Sequence, residues 1–566
     1  MKEVKVKLPI GVENFEDMIK QGYYYVDKTL MIKDLLDKGG SVNLFTRPRR
    51  FGKTLNMSML QHYFENLKQT SADLFKGLKI EQTGKTYLAH QNKYPVIKLS
   101  LKEASKKTFE ESLAKLVGEV SREFIRHDEL LDADGFTVQQ KEKYKRIRDE
   151  KGTQKDYEDS LKFLSGCLEQ YYNEKVIILI DEYDVPLEKA YFAKQPYYEE
   201  MVDFIRSFFS SGLKTNDALN FSVITGCLRV SKEDIFTGLD NLNIVSILTD
   251  NYGEYFGFLE SEVENMLIDC GIPEKLAEMR DWYNGYLFGE TVVYNPWSSI
   301  KYLSDVIYGK MPFPVAHWSN TSSNSVIKKL IALADDETKD EIELLIQGET
   351  LKKRINEDIV YGDVLKSMDN LWNFLYFTGY LKKVSKVQIG VHHYFELKIP
   401  NKEIQYIYER QIMEWFDERV KETDRSRLYH AILTQDVEIF EDELIRLLGE
   451  TISYMDSHEN FYHGFLTGIL QGMNGYVAKS NRESGNGRGD LFLRPRDMRK
   501  PAIVIEIKVA DKLQQLPKES LDALHQIKEK QYVKELEEEG FSHIMKYGVA
   551  FYRKMCMIKI SSLIFQ

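Results

Sequence analysis

Short, largely aliphatic runs alternate with longer amphipathic stretches through the first half of the chain. The runs fall at 42–45, 96–101, 176–180, 222–224 and 244–248. Runs made mostly of Val, Ile and Leu suit strands buried on both faces, the condition of a parallel sheet with helices packed on either side. From about 296 to 452 the spacing turns mostly helical, with charged segments such as 335–342 and 417–427. Beyond that, the pattern predicts a helix over 461–473, strands at 491–493 and 503–509, a charged helix over 517–539 and a last strand around 549–552. The tail has the size of an independent small α/β domain. The expected organisation is three domains: 1–290, a mostly helical 291–452, and 453–566.

Composition narrows the class of protein without naming its chemistry. Of 566 residues, 43% are hydrophobic and 29% charged, the mix of a globular chain rather than a disordered one. No apolar run reaches the roughly 18 residues needed to span a bilayer, and the opening MKEVKVKLPIGVENFED lacks the apolar segment of a signal peptide. Cys167, Cys227, Cys270 and Cys556 are scattered with no CxxC pair. That argues against a disulfide framework or a Cys-rich zinc site and suits a reducing cytoplasm. With 77 basic against 88 acidic residues the net charge is -11. A uniformly basic nucleic-acid wrapper is excluded; a local basic cleft is not.

Residues 42–54 read VNLFTRPRRFGKT, an apolar run, a loop, and Gly52-Lys53-Thr54 opening an amphipathic stretch with Leu55, Met59, Leu60 and Phe64. A strand, loop and helix start in this order let backbone N–H groups face phosphates. Lys53 would reach the β- and γ-phosphates, and the Thr54 hydroxyl would bind Mg2+. The pattern GxxxxGK[ST] wants its first glycine at 47, where this chain has Arg47. The tripeptide alone is therefore weak, and a second half of the site carries the reading. Residues 176–182 read VIILIDE, a buried strand ending in two acids. Asp181 is placed to hold the Mg2+ shell, and Glu182 to polarise the water that attacks the γ-phosphate. The strand candidate at 96–101 lies between loop and acids in sequence, as in ATPases of the additional-strand class. FSVITG then ends at Thr225, where a γ-phosphate sensor would sit, and Arg229 follows in CLRVSK. Arg229 could reach a nucleotide in cis or from a neighbouring subunit of a homo-oligomer. For both residues an ordinary strand-end role remains open.

The blocks LPIGVENFEDMI, YYYVDKT, LFTRPRRFGKTLNMSML, VIILIDEYDVPL, ITGCLRVSKEDIFTGLDNL, FGFLESEVENML, HWSNTSSN and LKIPNKEI resemble the bacterial AAA-ATPase-like family whose members carry a C-terminal nuclease-like domain. The resemblance extends over nearly the whole chain. In that family the loop begins RPRRFGKT, so Arg47 matches its pattern. The resemblance implies ATP binding at Gly52, Lys53, Thr54, Asp181 and Glu182, with Asp27 and Lys28 as neighbours. The expected nucleotide-contacting set is Arg47, Pro48, Arg49, Arg50, Phe51, Gly52, Lys53, Thr54, Thr225 and Arg229.

A second acidic constellation lies in RGDLFLRPRDMRKPAIVIEIKV at 488–509. Its last run is aliphatic except for Glu506 and Lys508, two apart and so on one face of a strand. A carboxylate and an ammonium there are costly without pairing or a metal. Asp490 stands 16 residues earlier, and a hairpin would bring it beside Glu506. Two such carboxylates can hold Mg2+, while Lys508 orients water or offsets developing charge. This is the logic of the PD-(D/E)XK nucleases, and the family resemblance points the same way. Glu459, at a helix start, is a candidate third metal carboxylate. Glu483 in a Gly-rich turn and Gln526, Lys530 and Tyr532 on a following helix are further candidates; structural roles stay open for Glu459, Glu483 and Gln526. Arg482, Arg488, Arg494, Arg496 and Arg499 are either a surface for duplex phosphates or ordinary solvated arginines.

Other signals carry little. His458-Glu459 and His463 have the wrong spacing for an HExxH zinc helix. His392 and His393 are adjacent and would face opposite sides if in a strand, so a metal pair is not expected there. The sequence thus leads to an α/β P-loop NTPase of the additional-strand class, a helical lid or linker, and a PD-(D/E)XK nuclease-like domain. The expected activity is ATP-dependent or ATP-regulated, Mg2+-dependent cleavage of nucleic acid, expected to be DNA, with no membrane partner. Defence against foreign DNA is an inference from the architecture alone. The alternative is a nucleotide-driven switch or scaffold that binds nucleic acid or a partner without cutting.

Overall fold

The computed structural model describes residues 6–66, 70–192, 196–228, 235–236, 240–309, 313–320, 324–357, 361–389, 392–422, 424–449, 459–480, 490–529 and 532–561. It divides into two compact units, 1–322 with 350–406, and 323–349 with 407–566. The helical middle segment expected at 291–452 is shared between them.

The first unit is built on five parallel strands: β1 Val42–Thr46, β2 Val96–Ser100, β3 Val176–Asp181, β4 Leu219–Gly226 and β5 Leu242–Val245, in the order β2-β3-β4-β1-β5. Every residue of β1 and β3 is buried, which is why these strands read as continuous aliphatic runs. The strand that intervenes in sequence, β2, lies at the sheet edge. In space it is β4 that separates the loop strand β1 from the acid strand β3. The register pairs Thr46 with Gly226 and Ile180 with Ile224, so Thr46, Asp181 and Thr225 finish at one edge. Crevices at the carboxyl ends of such strands are the usual ligand sites of open parallel sheets.

Two small sheets in this unit were not evident from the pattern. A hairpin joins β6 Tyr286–Phe288 and β7 Thr291–Val293. Strands β8 Leu351–Arg354, β9 Lys382–Ile389 and β10 His392–Lys398 form an antiparallel sheet. Sequences such as KKVSKVQI carry too few apolar residues to signal a strand, because no residue of β9 is fully buried. Glu403, just beyond β10, is fully buried; its carboxylate accepts from the Ser298 hydroxyl and the Trp318 N–H, both at 2.9 Å. Burial pushes this carboxyl up to about 8 from the ordinary 4.5. The folded state therefore keeps a proton that the unfolded chain releases, and stability falls as pH rises between those values. The expected slope is roughly 1.4 kcal/mol per pH unit. Glu403→Gln should flatten it, as read from urea unfolding at pH 5.5 and 7.5.

The second unit carries a mixed sheet of β11 Tyr476–Ser480, β12 Asp490–Pro495, β13 Ala502–Val509, β14 Ile544–Tyr552 and β15 Met555–Ile560, in sequence order. All neighbours are antiparallel except β13 and β14. That parallel pair needs a crossover, and the helices Leu516–Glu529 and Tyr532–Glu538 provide it. The charged stretch expected as one helix is thus two, and the closing strand is a hairpin. Ile503, Ile505 and Ile507 face a core with Phe465, Leu466 and Ile469 of the helix Glu459–Leu470. Ala502 and Val504 face the opposite core with Leu524, Ile527 and Leu536. Covering on both faces again explains the aliphatic run. Gly548 lies where helix Leu516–Glu529 rests on the sheet: an added Cβ would stand 2.2 Å from the Ser520 carbonyl oxygen and 2.7 Å from the Leu524 nitrogen. Gly548→Ala must push that helix away, at a cost of roughly 1–3 kcal/mol in urea unfolding.

Among the described residues, no helix is long and apolar enough to cross a membrane.

Candidate nucleotide site and candidate metal site

At the carboxyl edge of the first sheet the chain leaves β1, with the Arg47 N–H donating to the Gly226 carbonyl at 3.0 Å, and turns back into the helix Lys53–Phe64. Arg50 at φ 71° and Gly52 at φ 81° make the reversal. Nothing lies within 4 Å of a Cβ added to Gly52, so its left-handed backbone, not lack of space, is what favours glycine. Lys53 is the first helical residue. Its ammonium donates to the carbonyls of Arg47 and Pro48, both at 2.9 Å, which holds it within the loop.

The second half of the site meets this loop directly. The Thr54 hydroxyl donates to Asp181 Oδ2 at 2.7 Å, and the Thr225 hydroxyl donates to Asp181 Oδ1. The Glu182 N–H donates to Thr225 Oγ1 at 3.3 Å, and Glu182 itself adopts φ 53°. Burial pushes its carboxyl up, opposed first by the Lys53 ammonium. The four residues Thr54, Asp181, Glu182 and Thr225 thus form one hydrogen-bonded group. Hydroxyl and carboxylate oxygens in contact beside a phosphate-type loop are the donor set of a hard cation, and they fit Mg2+.

The three loop arginines divide their roles. Arg47 is fully buried, donating to the carbonyls of Thr46 and Val245 at 2.9 Å, with its guanidinium 5.1 Å from the Phe256 ring and 5.0 Å from the Phe288 ring. Burial pushes it down to about 9. Its side chain supports the loop from behind and does not line the cavity in front of it, contrary to the expectation of a nucleotide contact. Pro48 is likewise absent from that lining and packs against Gly379. Arg49 pairs with Glu188 at 2.7 Å. Arg50 is exposed, its guanidinium 4.2 Å from the Trp297 ring centroid.

Sequence reasoning passed over Asp184, Glu188 and Tyr361. Asp184 is fully buried, and its Oδ2 accepts from the N–H groups of Cys227 and Leu228 at 2.8 and 3.0 Å and from the Tyr361 hydroxyl at 2.9 Å. It fixes the chain leaving β4. The acidic stretch EYDVPLEK was the available signal, too common to single these residues out. Lys28 lines the cavity with its ammonium held by Glu262 and the Glu254 carbonyl. Asp27 instead ties Thr29 and the Lys79 N–H. Arg229 lies outside the described residues.

In the second unit, the register places Asp490 directly opposite Glu506. Glu506 shares its face with Ala502 and Val504, is 1% exposed, and its Oε2 has no hydrogen-bond partner among the described residues. Such an oxygen is costly unless something unseen completes it, and a buried carboxylate facing a second acidic position fits a divalent cation. Lys508 is half-buried two residues on. Glu459 begins its helix at the same edge: Tyr462 of that helix stacks on Phe551 at 4.2 Å, and Phe551 is the register partner of Val509. Among the described residues no group of three His, Cys, Asp or Glu side chains is clustered for a metal.

The arginines expected beside this site separate from it. Arg494 pairs with Glu539 and Arg499 with Asp497, while Arg496 is exposed. The pairing of Leu493 with Ile503 puts all three at the other end of the hairpin, roughly 13 Å or more along the strands. Gln526 is half-buried on its helix, and Tyr532 begins the next one. Glu483, Lys530, His458, Arg482 and Arg488 lie outside the described residues.

Two stretches of the chain match known families. Residues 9–236 match the family model described as "Predicted AAA-ATPase", and residues 457–560 match the PD-(D/E)XK nuclease superfamily. The chain thus joins an AAA-ATPase-like domain to a C-terminal PD-(D/E)XK nuclease-superfamily domain. Over 406 residues it is 25% identical to an "Uncharacterized protein in vnfD 5'region" of Azotobacter chroococcum mcd 1, covering 70% of this chain and 68% of that protein.

Proposed function

We propose that the protein is an ATP-binding, Mg2+-dependent nuclease whose cleavage of DNA depends on the nucleotide state of its first unit. The observation that carries the nuclease half is the register opposition of Asp490 to the buried Glu506, whose Oε2 has no hydrogen-bond partner among the described residues, with Lys508 next on the same face. Asp490 and Glu506, joined by Glu459 from its helix start, would hold the metal in the second unit; Thr54 and Asp181 would hold it in the first. When bound, Mg2+ supplies an activated water and offsets phosphate charge. Lys508 orients that water or stabilises the departing oxyanion. In the first unit Lys53 binds the β- and γ-phosphates, Glu182 takes the proton of the attacking water, and Thr225, tied to Asp181, reads the γ-phosphate.

Burial raises the Glu182 carboxyl above its ordinary value, which makes it a stronger proton acceptor than a solvent-exposed glutamate. Arg229 would complete the nucleotide contacts from the same chain or a neighbouring subunit of a homo-oligomer. Cytoplasmic action against foreign DNA is the biological setting this reading favours. The test is to incubate plasmid and linear DNA with the full chain, with and without Mg2+ and ATP. Cleavage that requires Mg2+ and changes with ATP supports the reading; DNA left intact in the presence of both favours a switch that binds without cutting.

A further inference from the structure

The arginines that sequence order sets beside the acids of the second unit lie at the other end of their hairpin. The first unit carries a different basic surface, on the antiparallel sheet β8 to β10. These three strands hold seven lysines and arginines and a single carboxylate, Glu396, in a chain whose net charge is -11.

Residues opposite one another in register share a face, which sorts these charges. One face is closed. Phe395 and Leu397 are buried there, and Phe395 packs edge-on against Tyr376 of the helix Met368–Phe377. Lys353 and Lys383 lie over the rings of Trp372 and Phe395, and Lys383 also pairs with Glu290. The other face is open. Arg354 stands opposite Tyr394, and Lys352 opposite Glu396. Both cations are exposed, and neither has an ion pair among the described residues. The Lys352 ammonium lies 5.7 Å from the Tyr394 ring centroid, while Glu396 accepts from the Ser385 hydroxyl at 2.8 Å. Further along this face Lys398 stands opposite Lys382. Burial, and then the charge of Lys398, holds the Lys382 ammonium below its ordinary value. Like charges directly opposite each other destabilise a sheet, and an anion laid on the face relieves them.

We infer that the open face of this sheet docks duplex DNA through its phosphate backbone. The inference rests on the reading of the chain as an enzyme acting on DNA, and adds a surface of the first unit that holds it. Cations on strands are regularly placed, about 6.5–7 Å apart at alternate positions and about 4.8 Å apart between strands. Contacts of this kind to phosphates position a duplex without reading its sequence. A single ring, Tyr394, accompanies these charges on the face, whereas sites for single strands stack successive bases on aromatic side chains.

The experiment follows the fluorescence anisotropy of a short labelled DNA duplex with the full-length protein, in EDTA and without nucleotide, so that binding is read apart from metal-dependent cleavage. Wild type is compared with Lys352→Ala/Arg354→Ala and with Lys145→Ala/Lys151→Ala, which removes the same charge from exposed positions at the end of the helix Val138–Arg148 and just beyond it. At physiological salt the sheet variant is expected to bind at least about tenfold more weakly than wild type, and the control variant within about twofold of it. The slope of log affinity against log salt should fall by about 2 in the sheet variant and stay unchanged in the control. Single-stranded DNA of the same length should bind more weakly than the duplex. Equal losses in the two variants reduce the effect to net charge and overturn the surface. Wild-type affinity in the sheet variant overturns it too, and self-association of that variant in light scattering would then mark charges that only blunt sheet edges. Tighter binding of the single strand, or displacement of the duplex by polyglutamate as effective as by unlabelled duplex, overturns duplex DNA as the partner. In each of these cases Mg2+-dependent plasmid cleavage by the wild type leaves the nuclease reading standing. Wild type that neither binds nor cuts DNA overturns both.

Discussion

Replacing Glu506 by alanine or glutamine is expected to remove Mg2+-dependent cleavage, by at least about a thousandfold, while nucleotide binding in the first unit stays at the wild-type level. The size follows from what the residue supplies: a buried carboxylate on the strand position opposite Asp490, with an oxygen that no described residue satisfies. Losing a metal ligand removes both the activated water and the charge stabilisation it provides. The same substitution should not harm folding. A buried carboxylate with an unpartnered oxygen costs stability, so Glu506→Gln is expected to melt at the same temperature as wild type or higher. Lost activity with retained or increased stability is the pattern of a functional residue held at a cost. A variant that unfolds, or one that still cuts at the wild-type rate, places the cleavage chemistry elsewhere.

Lys53→Ala is expected to weaken ATP and tripolyphosphate alike by at least about a hundredfold and to remove any dependence of cleavage on ATP. The ammonium sits within the loop, bonded to the carbonyls of Arg47 and Pro48. Because those carbonyls lose a donor, some loss of thermal stability accompanies the change. Thr54→Ala separates the effects: it leaves Lys53 in place and removes the hydroxyl held by Asp181 at 2.7 Å. It should therefore weaken binding chiefly in the presence of Mg2+. Binding that is insensitive to both substitutions contradicts the nucleotide site.

Much of this arrangement was legible in the sequence because local rules and tertiary burial agree there. The aliphatic runs are strands because both faces of each sheet are covered, and a 16-residue separation sufficed to place Asp490 beside Glu506. What stayed hidden depended on distant contacts. Arg47 looks like a phosphate ligand by its place in the loop, yet the carbonyl that takes its guanidinium belongs to Val245 on β5. Arg494, Arg496 and Arg499 are close to the acids in sequence, but hairpin register carries them to the opposite end. The lysine-rich strands β8 and β9 bury too little to betray a strand. The lining of the cavity before the loop, which includes Pro9, Phe258 and Trp297, combines segments nearly 290 residues apart, which no local pattern joins.

The central claim is that one chain couples nucleotide binding to metal-dependent DNA cleavage. The most direct measurement is the rate of plasmid cleavage by wild type, Lys53→Ala and Glu506→Ala in Mg2+, each with and without ATP. The account predicts an ATP-dependent change in the wild-type rate, the same rate with and without ATP in Lys53→Ala, and no cleavage in Glu506→Ala. Cleavage by Glu506→Ala, or an unaltered ATP response in Lys53→Ala, would contradict it.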